Sequence, residues 1–263
     1  MEDRRAALSA RLKIPAGHDL VRTYKPRRGR VTDSQGAALA RCWPRLGVRI
    51  PFDEGAARCL DLALLFGRRA PVVLEIGSGM GEVTAAMAEA DPARDVLAVD
   101  VHTPGLGNLI KLVEAAGLPN VRVAEGDALV LLRAMLGPGS LDEVRVFFPD
   151  PWPKARHAKR RLVTSAFADL AASRLTPGGR VHIATDWGPY ADTARSVLGD
   201  HPEFAVLDGG LSPRPGHRPV TRFERQALAA GRQVFDVLAV RRTGELAGNR
   251  CPPDVSSGSE PGR

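Results

Sequence analysis

The sequence predicts an α/β fold in which seven strands form a mostly parallel sheet with helices on both faces. Three observations lead there. From about residue 56 onward, short apolar runs alternate with helix-period segments. Turn residues separate them, at Pro92, Gly117, Pro119, Gly137–Gly139 and Pro177–Gly179. A strand also runs directly into a glycine loop that opens a helix, as ligand-binding α/β sheets require. The expected strands are Val72–Ile76, Val96–Asp100, Val121–Ala124, Glu143–Phe148, Arg180–Thr185, Phe204–Leu207 and Val234–Val240. Helical periodicity fills 82–90, 105–116, 128–136, 161–174 and 189–199, so successive strands are joined by crossovers and run parallel. The last two strands lie closer together in sequence and fit a closing hairpin.

This places a single folded domain at residues 46–243. Residues 1–45, rich in Arg, Gly and Pro, read as a basic and mostly flexible arm, and 244–263 as a disordered tail. The 263 residues are 44% hydrophobic and 25% charged, which excludes wholesale disorder. No apolar run approaches the ~18 residues of a membrane span, and the N-terminus lacks a signal-peptide core, so a cytoplasmic protein is expected. Three cysteines without a CxxC, and six histidines without HxH or HxxxH spacing, give no support to a disulfide framework or a metal site.

The net charge of +7 is unevenly placed. Residues 1–30 carry +6, residues 154–161 carry +5 and residues 211–225 carry +3, so the remainder of the chain carries −7. Basic patches on an acidic body fit a polyanion partner.

Val72–Gly81 reads VVLEIGSGMG. Gly77, Gly79 and Gly81 allow a sharp turn and close approach of a ligand, and Glu82 stands where a dinucleotide fingerprint would need its third glycine. The spacing, with Glu75 two residues before the first glycine, resembles motif I of the Rossmann-like methyltransferases that bind S-adenosylmethionine. Asp100 ends the second expected strand, where a carboxylate accepts from ribose hydroxyls or caps the following helix. Asp127 closes the third strand and fits either an adenine contact or a helix cap.

Residues 147–161 read FFPDPWPKARHAKRR. Three prolines stiffen the loop around Asp150 and Trp152, and five cations follow at once. A base-binding wall with an adjoining phosphate track accounts for that combination. Together with LEIGSGMGE, DVHTPGLGNL, GDAL, ATDW and TRFER, the stretch is similar to the signature of the bacterial tRNA (guanine-N7)-methyltransferases, from about Tyr24 to Arg242.

The resemblance implies a class I, S-adenosylmethionine-dependent enzyme that methylates guanine 46 in the tRNA variable loop. It implies cofactor binding by Glu75, Gly77, Gly79, Gly81, Asp100, Asp127 and Asp150, with Asp150 also the active-site residue. Lys154, Asp186, Thr221, Arg222, Phe223 and Glu224 match substrate-binding positions, and Arg156, His157, Ala158, Lys159, Arg160 and Arg161 the RNA-contacting segment. Read locally, Asp186 fits a capping role as well, and Thr221–Glu224 lie on what reads as a Pro- and Arg-rich loop. Three positions depart from the family's pattern: Asp100 replaces a usual Glu, Arg222 a usual Lys, and Ser78 a common aromatic. The partner expected is tRNA, with the protein a monomer or homodimer and no obligatory second protein. A small-molecule methyltransferase shares the cofactor half but leaves the basic patches unexplained. An RNA-binding module leaves the glycine loop unexplained.

Overall fold

The structure is a computed structural model that describes residues 23–24, 29–208 and 212–243. Most of the expected basic arm and the whole expected tail lie outside the described residues. Among those described, eight strands form one sheet in the order β1-β4-β3-β2-β5-β6-β8-β7. They are β1 Gly47–Arg49, β2 Val72–Ile76, β3 Asp95–Asp100, β4 Val121–Glu125, β5 Leu141–Phe147, β6 Leu175–Thr185, β7 Phe204–Val206 and β8 Phe235–Arg241. All pairings from β1 to β6 are parallel, whereas β8 runs antiparallel to both β6 and β7.

Seven of the eight strands match the expectation, and β1 corrects it. That strand is three residues long, on the sheet edge, with only Val48 buried, so it has too few apolar positions to leave a period. β6 also begins earlier than expected. The turn residues Pro177–Gly179 sit within it, where its pairing with β5 shifts register between Leu141 and Glu143.

Among the described residues eight α-helices pack around the sheet: α1 Asp33–Leu46, α2 Leu62–Phe66, α3 Glu82–Ala90, α4 Thr103–Ala116, α5 Ala128–Val130, α6 Ser165–Arg174, α7 Gly188–Gly199 and α8 Arg222–Ala229. α5 continues into a wider helical turn at Leu131–Met135. Two of these helices overturn sequence expectations. α1 falls in the supposedly flexible arm. It starts with a reciprocal cap, in which Thr32 Oγ1 accepts from the Gln35 N–H and Gln35 Oε1 accepts from the Thr32 N–H, and its Ala38, Leu39, Cys42 and Leu46 are buried. α8 begins where a loop was expected at 221–224. Thr221 Oγ1 accepts from the Glu224 N–H at 2.9 Å, which makes the threonine a helix cap.

The core divides across the sheet. One face buries Leu74, Val144, Ile183, Phe167 and Tyr190, and the other packs Val73, Ala98 and Val123 against α1 and α4. Every residue of β2 is buried, as a central parallel strand covered on both faces demands. Strand order reverses beside β2: the chain passes β2, β3, β4 outward, then returns to lay β5 on β2's other side. A crevice opens at the carboxyl ends of such strands. No helix among the described residues is long and apolar enough to cross a membrane.

Candidate active site

The crevice at that reversal is a cleft of about 840 Å³ of empty space, counted out into open solvent. Gly77 and Gly79 follow β2, Asp100 and His102 follow β3, Gly126 and Asp127 follow β4, and Phe148, Pro149 and Asp150 follow β5; all line it. The cleft thus has a wall built after β2, β3 and β4 and an opposing wall built after β5.

The first wall is backbone geometry. Gly77 and Gly79 hold φ of 83° and 59°, and a Cβ on either would meet no atom within 4 Å. Such a Cβ would stand in open space, on residues that line the cleft. Gly105, in the first turn of α4, packs so closely on the Gly79 carbonyl that a Cβ there would overlap it. Asp100 ties the wall together, accepting from the Gly79 N–H and the His102 N–H, each at 2.9 Å. Burial raises its carboxyl above the usual range against those two hydrogen bonds. Asp127 is both helix cap and cleft residue: its carboxylate accepts from the Leu129 N–H at 2.8 Å, and burial raises it also. The expected cap is present, on a residue that also lines the cleft.

Glu75 departs from its expected place. It is 3% exposed, does not line the cleft, and accepts from Thr84 Oγ1 at 2.9 Å. Burial pushes its carboxyl up, and its second oxygen has no hydrogen-bond partner. Gly81 likewise lies behind the loop, as the first residue before α3, with φ of 82° and its α-carbon packed on Leu109.

The second wall stores strain. Phe148 and Trp152 bracket Asp150 with φ of 51° and 44°, a backbone region that costs a side-chain-bearing residue about 1–2 kcal/mol. The Phe148 N–H donates to the Ala184 carbonyl at 2.7 Å, and Trp152, 5% exposed, donates from Nε1 to the Thr23 carbonyl at 3.2 Å. At the loop's far end, buried Tyr190 accepts the Val163 N–H at 3.1 Å, and its burial raises the phenol to about 12. The basic segment is divided in use. Arg160 lies 5.0 Å from the Trp152 ring, and Arg161 donates to the Pro151 carbonyl and to Thr193, whereas Lys154, Arg156 and Lys159 are exposed.

Three expected substrate residues are committed elsewhere. Asp186 accepts from Arg232 Nε at 2.9 Å and does not line the cleft. Thr221 caps α8, and Glu224, 4% exposed, pairs with Arg218 at 2.6 Å. From the TRFE stretch only Phe223 reaches the cleft. The expected third basic patch is reduced with them, since Arg218 is fully buried and donates through two nitrogens to both oxygens of Asp236.

Sequence reasoning gave no cleft role to Thr23, Tyr24, His102, Phe148 and Leu162, all of which line it. His102 and Phe148 stand inside motifs already singled out, but Thr23 and Tyr24 lie more than fifty residues from the glycine loop with no period to signal them. The buried Asp236 and His182 were equally silent. A related cluster, Glu143, His182 and His217, brings ligand atoms within 4.8 Å of one another, but the carboxylate already accepts from Arg94 and Arg145.

A family profile described as a putative methyltransferase matches residues 69–237. A tRNA (guanine-N(7)-)-methyltransferase of Streptomyces coelicolor is 57% identical over 229 residues, covering 85% of this chain and 83% of that protein. Another, from Nitrosospira multiformis, is 47% identical over 227 residues, with 86% and 97% covered. The chain belongs to the tRNA (guanine-N7)-methyltransferase family. The fold agrees: the 16S rRNA methyltransferase KamB superposes with a TM-score of 0.52 at 19% identity, over 70% of this chain and 95% of that one. The expected class I methyltransferase architecture is therefore present, with eight strands among the described residues instead of seven. The cleft fits the family's cofactor, since two glycines leave open the space a nucleoside would take and two carboxylates rim it.

Proposed function

We propose that this chain is a cytoplasmic tRNA (guanine-N7)-methyltransferase acting on guanine 46 of the variable loop, as a monomer or homodimer without another protein. The observation that carries the reading is that Asp150 and the Gly77–Gly79 turn face one cleft, from adjacent strands, in a member of this family. S-adenosylmethionine supplies an electrophilic methyl on a sulfonium centre. Asp100 would take the ribose hydroxyls, Asp127 the adenine edge, and the two glycines the backbone-close part of the molecule.

Guanine N7 has an in-plane lone pair and no hydrogen, so no proton leaves the nucleophile. The protein's task is then alignment and charge stabilisation. Asp150 orients the base by accepting from its N1–H and amino group, and it offsets the positive charge that passes to the purine. Glu75 supports the turn from behind instead of touching the cofactor. Lys154, Arg156 and Lys159 supply phosphate contacts, while Arg161 fixes the loop to α7.

The test is incubation of the purified chain with labelled cofactor and unmodified tRNA, followed by nucleoside analysis. 7-Methylguanosine should form, and a transcript with adenine at position 46 should take up no label. Label on that transcript overturns the assigned position, and absence of 7-methylguanosine from both overturns the activity.

A further inference from the structure

We propose that Phe148 and Phe223 form a pair of catalytic aromatic residues that hold the target guanine by its face and stabilise the cation that N7 methylation creates. The proposal rests on the base-methylation reading above and assigns a task that Asp150 cannot perform from the edge of the ring.

The two rings come from unrelated parts of the chain, one after β5 and one from the first turn of α8, and both line the cleft beside Asp150. Their centroids are 6.1 Å apart with an interplanar angle of 27°, so they present nearly parallel faces. Phe147 and Phe148 part company at the end of β5. Both line the cleft, but Phe147 is buried edge-on against His182, whereas Phe148 is half-buried on a left-handed backbone. Phe223 is 40% exposed although it sits on a helix that buries Glu224 and Ala227. A partly exposed apolar ring that lines the cleft beside Phe148 is accounted for by a flat ligand stacking there.

The reaction supplies the reason for aromatic faces. The N7 lone pair forms the new N–C bond while the C–S electron pair goes to sulfur, which leaves as a neutral sulfide. The positive charge therefore moves onto the imidazole ring of the purine, and no proton is lost. An aromatic face is the negative pole of a quadrupole and attracts a cation placed over it. Stacking alone would hold guanine before and after transfer, whereas the cation–π part grows only as charge arrives. Interactions that strengthen in the transition state raise kcat.

The experiment replaces each ring by leucine, which keeps apolar bulk and removes the face, and measures single-turnover methylation of saturating tRNA. We expect Phe223→Leu and Phe148→Leu each to lower the rate about tenfold with cofactor Kd within about twofold of wild type, and Phe223→Tyr, which keeps a face, to lose less than the leucine. Wild-type protein should bind tRNA that already carries 7-methylguanosine several-fold more tightly than unmodified tRNA, and Phe223→Leu should abolish that preference. Because Phe223 is partly exposed, its variants test the proposal even where Phe148→Leu, at its left-handed backbone position, fails to fold. A Phe223→Leu protein with the wild-type rate, or one that keeps the preference for methylated tRNA, overturns the proposal while leaving the activity standing. A wild-type protein that makes no 7-methylguanosine overturns both.

Discussion

The two walls of the cleft are built by different physics. The wall after β2, β3 and β4 is set by local backbone: glycines at positive φ, an aspartate accepting two amide hydrogens within its own neighbourhood, and a helix start pressed against the turn. The wall after β5 is set by distant partners. Phe223 reaches it only because α8 is clamped to the sheet by Arg218, which joins Glu224 of that helix to Asp236 of β8, while Asp236 also pairs with His182 of β6 at 2.7 Å. One wall is specified within the continuous segment 72–127 of strand, helix and turn. The other draws on residues separated by up to 129 positions, as in the Trp152–Thr23 hydrogen bond.

The sharpest way to break this contrast is to remove the clamp. Arg218→Met leaves two buried carboxylates facing each other without their cation, a loss of about 3–5 kcal/mol when one partner of a buried pair is removed. Chemical denaturation should show a loss of that size. In the surviving folded fraction, cofactor affinity should persist while the apparent KM for tRNA rises. Equal loss of both ligands would mean that the walls are mechanically one.

Asp150→Asn tests the same division at the chemistry. The amide keeps the shape of the side chain but not its charge, and the rate should fall about a hundredfold with cofactor affinity little changed. A variant that keeps its kcat and loses only cofactor affinity would move Asp150 to the first wall.

On the first wall the effect is smaller and one-sided. Gly79→Ala puts a side chain at φ of 59°, which should lower stability by about 1–2 kcal/mol, and adds a methyl beside the cleft, so cofactor binding should weaken, read by calorimetry, with tRNA affinity unaltered. This difference also explains what could be read from the amino-acid string. The strands, the glycine turn, Asp100 and Asp127 were legible because their signals are local: periodicity, turn chemistry and spacing. α8 was missed because its Pro- and Arg-rich surroundings read as loop, and what stabilises it, the buried Arg218, looks in sequence like one more surface cation. Glu75 and Glu224 show the opposite case. Both sit in recognisable motifs, yet neither is among the residues that line the cleft and each holds a protein partner, Thr84 or Arg218, which no sequence pattern signals.

The phosphate track divides in the same manner. Arg156→Ala should lower the salt slope of tRNA binding by about 0.7–0.9, the value of one released counterion. Arg161→Ala should leave the slope unchanged, because that guanidinium is spent on the Pro151 carbonyl and Thr193. A slope change at Arg161 would make it a direct RNA contact.

The smallest effect separates the walls by their response to acid. Behind the base wall, burial would raise Glu143, but Arg145 and Arg94 overcome it and hold the carboxyl down to about 2. That group contributes stability above its unfolded value near 4.5, and the contribution is lost as pH falls from there toward 2. Behind the glycine wall the sign is reversed. Burial raises Glu75 above 4.5, so the folded state binds its proton more tightly than the unfolded chain, and the ionised carboxylate costs stability at neutral pH. That cost is relieved as pH falls toward and through the raised folded value. Glu75→Gln keeps an acceptor for Thr84 and removes the charge, so the cofactor-free protein should melt about 2–4 °C higher at pH 7. The gap between variant and parent should narrow as the pH is lowered through the raised folded value, because the parent's own carboxyl is neutralised there. A gap that widens on acidification would mean that Glu75 is held ionised by Arg145, and that both walls lean on the same ion-pair network.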